Sequence, residues 1–295
     1  KFYPFLQSDR ALPIVTGRGC PYACNFCYRV SAYRIRPVDE VMDEMGYMID
    51  RYKVNSFYFE DDLFMLSHQK MTDFCEAIIN RGYKIKYSCS GRVNTVNPEI
   101  ARLMKESGCI SVYYGVESGN QEILNNMSKK TNLDQIYEAI RLTREQGIYT
   151  EYGFIFGEPN DNVQTMLDTI QLIKNISHGE YRPQKIFGCV PFPGSGLYDW
   201  CKEKGLLKND RDFYDRYTCQ DWSLDQIPIN MTKMSDEKVR QVFKETNEDL
   251  SQFYIDRMST DWIKHFSEDP ESLNSTSNNP ESLKHLTTRV ESGMN

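Results

Sequence analysis

Tyr149-Thr-Glu-Tyr-Gly-Phe-Ile-Phe156 runs through Gly157-Glu-Pro-Asn-Asp-Asn162 into Val163-Gln-Thr-Met-Leu-Asp-Thr-Ile-Gln-Leu-Ile173. The first segment is short and rich in aromatic and β-branched residues, which is strand composition. The last places Val163, Met166, Leu167, Ile170 and Ile173 along one helical face. Strand, Gly/Pro-containing turn and helix make one unit, and its repetition decides the fold.

Outward in both directions the unit recurs. Ala11–Thr16, Ser56–Glu60, Lys84–Ser88, Ser111–Val116 and Gln184–Val190 share the strand composition. Val38, Val41, Met42, Met45 and Met48 trace a helical face, as do Ile136, Ala139, Ile140 and Leu142. Pro37 and Pro98 stand at first-turn positions, and Gly82, Gly108 and Gly147 just past helix ends. Alternation of this kind predicts an α/β fold with a parallel sheet and right-handed crossovers. Six units suit a partial (β/α)6 TIM-like barrel better than a closed eight-stranded one, with ligands at the C-terminal ends of the strands.

The expected organisation is a barrel over residues 1–207, a C-terminal helical extension over 208–266 and a polar tail over 267–295. Helices are expected around Tyr198–Lys204 and Asp236–Arg257. The tail is weakly ordered by composition and repeats Pro-Glu-Ser-Leu at 270–273 and 280–283.

The chain has 295 residues and a net charge of −7, with no Lys/Arg cluster dense enough for a nucleic-acid footprint. No apolar run reaches the roughly 20 residues of a membrane helix. Nine cysteines are too few for a disulfide scaffold. Three fall within eight residues, while Cys75, Cys89, Cys109, Cys189, Cys201 and Cys219 are scattered. One tight group with dispersed singles reads as a metal site in a reducing cytoplasm, the singles being small buried side chains.

The tight group is Gly17-Arg-Gly-Cys20-Pro-Tyr-Ala-Cys24-Asn-Phe-Cys27-Tyr28, on the loop after the first strand. Three thiolates can ligate three irons of a [4Fe–4S] cube and leave the fourth iron open. A zinc or redox-sensing module is the alternative, but it normally wants a fourth N/S ligand, and the nearest histidine is the distant His68.

The C-x3-C-x2-C spacing with Phe26 before the last cysteine resembles the signature of the radical S-adenosylmethionine (SAM) superfamily, over roughly Leu12 to Leu207. That resemblance implies an enzyme in which Cys20, Cys24 and Cys27 hold the cluster and SAM chelates the open iron. Reduction by an external flavodoxin- or ferredoxin-type donor then cleaves SAM to a 5′-deoxyadenosyl radical. Carried over residue by residue, it assigns SAM binding to Asp61 and Asp62 of Asp61-Asp62-Leu63-Phe64 and to Ser90 and Arg92 after the third strand. It assigns the ribose to Glu117 of Gly115-Val-Glu-Ser118 and the SAM carboxylate to Lys129. Ile155 and Gly157 would flank adenine. An acidic cap for the next helix is the other reading of the Asp61-Asp62 pair. Where the family often has Glu after the proline, Asn160-Asp161-Asn162 stands here.

Arg18-Gly-Cys-Pro21, Asp61-Asp62-Leu-Phe64 and Pro191-Phe-Pro-Gly-Ser-Gly-Leu-Tyr198 together resemble the subgroup that carries a cobalamin-binding domain ahead of the barrel. The implied outcome there is methyl transfer to a small molecule or peptide. The chain opens on Lys1, so such a domain either precedes it or this is a cobalamin-free relative. A tRNA-modifying methylthiotransferase is the rival within the family.

Overall fold

Strands and helices alternate along the residues that the computed structural model describes, 10–28, 32–177, 185–218 and 229–268. The order opens with β1 (Ala11–Ile14), β2 (Gly17–Arg18), β3 (Arg34–Ile35), α1 (Val38–Tyr52), β4 (Ser56–Phe59), α2 (His68–Asn80) and β5 (Lys86–Gly91). There follow α3 (Pro98–Glu106), β6 (Cys109–Glu117), α4 (Gln121–Asn126), α5 (Leu133–Glu145), β7 (Tyr149–Phe156) and α6 (Val163–Ile176). It closes with β8 (Lys185–Gly188), α7 (Gly196–Glu203), α8 (Asp210–Thr218) and α9 (Asp236–Glu268). Six strands form one parallel sheet in the order β1-β4-β5-β6-β7-β8, the partial barrel that the alternation predicts, with β1 and β8 as its edges.

The two-residue period of each strand separates a helix-facing side from a lumen. Tyr87 of β5 and Tyr114 of β6 turn outward, and their hydroxyls meet Ser107 at 2.9 Å and Thr143 at 2.8 Å. Their neighbours Ser88, Ser90, Ser111 and Tyr113 line a cavity of about 200 Å³ together with Tyr58, Asp61 and Glu151. Outside the sheet, Phe59 stacks on Phe64 with ring centroids 4.5 Å apart, and Phe74 stands edge-on to both at 4.9 Å. Such pairs add about 0.5–1.5 kcal/mol each beyond their buried area.

Several boundaries move from their expected places. β5 starts later and runs on to Gly91, because Ser88 and Ser90 face the lumen and hide the strand behind polar composition. β6 is longer at both ends than Ser111–Val116. Pro98 opens α3 as its first residue, whereas Pro37 caps α1 from one position outside it. Gly82, Gly108 and Gly147 follow their helices with φ of +67°, +100° and +66°, the left-handed termini expected of them. The short antiparallel pair of β2 and β3, which frames the cysteine loop, has no apolar alternation to announce it.

After the last strand, α7 begins at Gly196 and α9 extends beyond Arg257. Val239, Val242, Phe243, Leu250 and Tyr254 of α9 join the barrel core, and the Tyr254 hydroxyl meets that of Ser177 at 2.8 Å. Cys75, Cys89, Cys109, Cys189 and Cys201 are buried, as small core side chains are. Cys219 and both Pro-Glu-Ser-Leu repeats lie outside the described residues. Among the described residues no helix is long and apolar enough to cross a membrane.

Candidate active site

β1 delivers the chain to Thr16 and then to the cysteine loop, and the end of β4 holds both in place. Asp61 accepts the Thr16 amide at 2.6 Å on Oδ1 and the Thr16 hydroxyl at 2.5 Å on Oδ2. Lys70 of α2 donates to Oδ2 at 3.0 Å, and this ion pair is almost wholly buried. The Lys70 ammonium also lies 4.9 Å from the centre of the Phe64 ring. Asp62 accepts the Gly19 amide at 2.6 Å, immediately before Cys20. Gly19 has φ of +76°, a conformation that costs glycine little and other residues more. Asp-Asp-x-Phe is thus a bracket: one carboxylate for the strand end, one for the loop, and a ring that anchors them to the core. The acidic-cap alternative fails, because Ser67 caps α2 by accepting from the Lys70 amide.

Two cations face the cysteines. Arg92, just past β5, directs Nη1 at the Cys24 sulfur from 3.6 Å, lies 3.7 Å over the Tyr22 ring and donates from Nη2 to the Lys129 carbonyl. Burial, then the sulfurs of Cys24 and Cys20, push the Cys27 thiol up, while the Lys129 ammonium pulls it down. The same ammonium is 5.9 Å from the Phe26 ring centre. Among the described residues no three His, Cys, Asp or Glu side chains converge on one ion. A cube asks for something else, since each thiolate takes a different iron. Three neighbouring thiols under two cations suit an anionic cluster with a carboxylate-bearing ligand.

Glu117 arrives by a distortion. The β6–β7 register slips between Gly115 and Glu117, and Glu117 takes φ of +71°. A bulge at a strand end re-aims a side chain, and a left-handed non-glycine costs about 1–3 kcal/mol. The re-aimed carboxylate meets Lys129 Nζ at 2.5 Å, both side chains being buried. A Cβ on Gly115 would lie 2.5 Å from Glu117 Oε1 and 2.9 Å from Lys129 Nζ, so only glycine leaves room for this pair. Lys129 itself sits between Ser128 and Lys130, which have φ of +53° and +55°.

At the end of β7, Asp161 accepts the amides of Gly157 at 2.8 Å and Glu158 at 3.2 Å, and Thr165 donates to its other oxygen at 2.7 Å. Asn162 caps α6. Loop closure and helix capping are therefore supplied by Asp161 and Asn162, next to Gly157 and Ile155. Burial, assisted by the charges of Asp161 and Glu122 and opposed by the Asn160 amide, pushes Glu158 up to about 7 from an ordinary 4.5. A carboxyl raised in the folded state contributes stability below its unfolded value, and that contribution is lost as pH rises through the folded one. Glu158→Gln is expected to unfold like the parent at pH 4 and to exceed it by about 2–3 kcal/mol at pH 8. Urea titrations of the metal-free protein at both pH values check this, and an equal gap at both would contradict it.

The residues expected at the site gather at one end of the sheet. Ser90 lines the lumen cavity beside Asp61 and donates to the Asp61 carbonyl at 3.3 Å. Phe26 and Ile155 pack against a second apolar cluster with Cys189 and Cys201. Asp61 and Lys129 hold protein partners rather than standing open. Lys70, Thr16, Tyr22 and Asn25 went unsuspected in the sequence. Lys70 had a signal, since it shares the i, i+4, i+8 face of α2 with the buried Phe74 and Ile78.

The Radical SAM superfamily model matches residues 14–173, more than half of the chain. An uncharacterised methyltransferase of Pyrococcus horikoshii is 30% identical over 66% of this chain and 42% of that protein. The bacteriochlorophyllide d C-12(1)-methyltransferase of Chlorobaculum tepidum is 30% identical over 71% of this chain and 46% of that protein. The chain thus spans less than half the length of each. The fold is similar to that of the radical SAM methyltransferase TsrM from Kitasatospora setae, solved with cobalamin and a [4Fe–4S] cluster, at a TM-score of 0.59 and 20% identity. That likeness covers 65% of this chain and 36% of TsrM. With the barrel, the three-cysteine loop and this match together, the chain belongs to the Radical SAM superfamily of enzymes, whose cofactors are a [4Fe–4S] cluster and SAM.

Proposed function

We propose that residues 1–207 are the catalytic barrel of a radical SAM methyltransferase, extended by 208–266, in which Cys20, Cys24 and Cys27 hold the cluster. The observation that carries this reading is a three-thiol loop with Arg92 at the Cys24 sulfur and the Lys129 charge acting on Cys27, and with Glu117 re-aimed by a bulge at a neighbouring strand end. When bound and reduced by a flavodoxin- or ferredoxin-type donor, the cluster supplies the electron that cleaves SAM. This chain's own part is to bind and to orient. Arg92 and Lys129 receive anionic groups, Glu117 accepts the ribose hydroxyls, and Ile155 and Gly157 flank the base. Asp61 and Asp62 set the loop rather than meeting the ligand first, because their acceptor positions go to Thr16, Lys70 and Gly19. Cobalamin is the proposed methyl carrier, supported by the Asp61–Phe64 and Pro191–Tyr198 motifs and by the methyltransferases among the relatives. The substrate class is a small molecule or peptide.

Anaerobic reconstitution is expected to load about four irons and four sulfides per chain. Incubation with SAM and reductant should then release methionine and 5′-deoxyadenosine, and added cobalamin should redirect part of the SAM to S-adenosylhomocysteine. A protein that takes zinc and leaves SAM intact would overturn the reading, and products indifferent to cobalamin would remove the carrier. Glu117→Gln should keep its iron but bind SAM at least about tenfold more weakly, because charge-assisted hydrogen bonds are worth about 1.5–3 kcal/mol each. Equal affinity in equilibrium dialysis would return the Glu117–Lys129 pair to a purely structural role.

A further inference from the structure

We propose that the Tyr33 hydroxyl donates a hydrogen bond to sulfur at the Cys20 corner of the cluster, making Tyr33 a positioning residue that tunes the cluster's reduction. The inference rests on the radical SAM reading above and adds a residue that the motifs do not include.

Backbone register places Tyr33. Antiparallel pairing matches Gly17 with Ile35 and Arg18 with Arg34, and Arg36 donates its amide to the Thr16 carbonyl at 2.9 Å. One more step along that ladder sets Tyr33 opposite Gly19, next to Cys20. The Tyr33 oxygen is shut off from solvent and has no hydrogen-bond partner among the described residues. A buried hydroxyl without a partner is disfavoured, so its orientation points to an acceptor that arrives with a ligand.

Chemistry then selects the acceptor. A phenol is a hydrogen-bond donor throughout the neutral range, and Asp61 and Cys20 are the charged groups that act on this one. Of the two charged neighbours, Asp61 already accepts from the Thr16 amide, the Thr16 hydroxyl and Lys70. Sulfur of a cluster seated on Cys20 is the acceptor that remains. A hydrogen bond to a cluster sulfur withdraws electron density and favours the reduced state.

The test uses the reconstituted chain and its Tyr33→Phe variant, with redox titration followed by electron paramagnetic resonance and proton ENDOR in H2O and D2O. The variant is expected to retain iron and sulfide, to shift to a lower midpoint potential and to lose one exchangeable proton coupling at the reduced cluster. Unchanged potential and coupling would overturn the proposal. Should the variant fail to hold a cluster, the parent still decides: a reduced cluster without an exchangeable proton at hydrogen-bond distance also overturns it. A parent that assembles no iron–sulfur cluster would instead defeat the radical SAM reading itself.

Discussion

Cys24→Ala is expected to leave anaerobic reconstitution without its cluster and without SAM cleavage. Cys24 is buried, faces Arg92 at 3.6 Å and sits in the middle of the three-thiol loop. Its loss leaves two protein ligands on a cube that already lacks a fourth, and clusters are held by thiolates. It also takes from Arg92 Nη1 its sulfur partner. Cys20→Ala and Cys27→Ala should behave alike. Cys75→Ala and Cys109→Ala serve as controls, since these thiols pack in the helix-facing core beside Tyr87, away from Arg92. They should keep full iron content with a packing loss of about 1 kcal/mol or somewhat more. Iron, sulfide and methionine release measure the outcome; a Cys24→Ala protein that retained all three would remove the cluster assignment.

Asp61→Asn carries the second large effect, on stability. The substitution is nearly isosteric, but it strips the counter-charge from a lysine ammonium whose side chain is only 6% exposed. Breaking a buried pair from one side costs about 3–5 kcal/mol, because the surviving charge has neither water nor partner. Thr16 would lose a charged acceptor at the same time. Adding Lys70→Met should recover most of the loss, since an apolar chain of similar length suits the Phe64 and Phe74 surroundings. Urea unfolding of the metal-free protein gives both numbers. A single-variant cost below about 1 kcal/mol would mean that water reaches Lys70 in solution.

Legibility followed physical range. The β/α repetition could be read because each unit declares itself within a dozen residues, as Tyr149–Ile173 does. The cysteine loop could be read because its three cysteines lie in one short segment. Asp61, Asp62 and Glu117 could be placed at strand ends, but not their partners, which are a matter of three dimensions. The bond from Asp61 to Lys70 joins β4 to α2, and that from Asp62 to Gly19 spans 43 positions. The bulge that turns Glu117 leaves no mark in composition, since Gly115-Val-Glu also reads as plain strand. Tyr33 stayed hidden for a related reason: its meaning comes from a two-residue strand too short to show a period.

Asn25 gives the barrel a consequence beyond chemistry. Its amide donates to the Met127 carbonyl at 3.1 Å, its side chain to the Asn126 carbonyl at 2.9 Å, and its carbonyl accepts from Leu197 at 2.9 Å. Leu197 lies in the first turn of α7, after the last strand, whereas Asn25 follows the first strand, and between β1 and β8 the sheet has no ladder among the described residues. The cysteine loop is therefore the hoop that ties the two rims of an open stave wall. A cluster held by Cys24 and Cys27, on either side of Asn25, would stiffen that hoop and so couple metal loading to closure of the barrel.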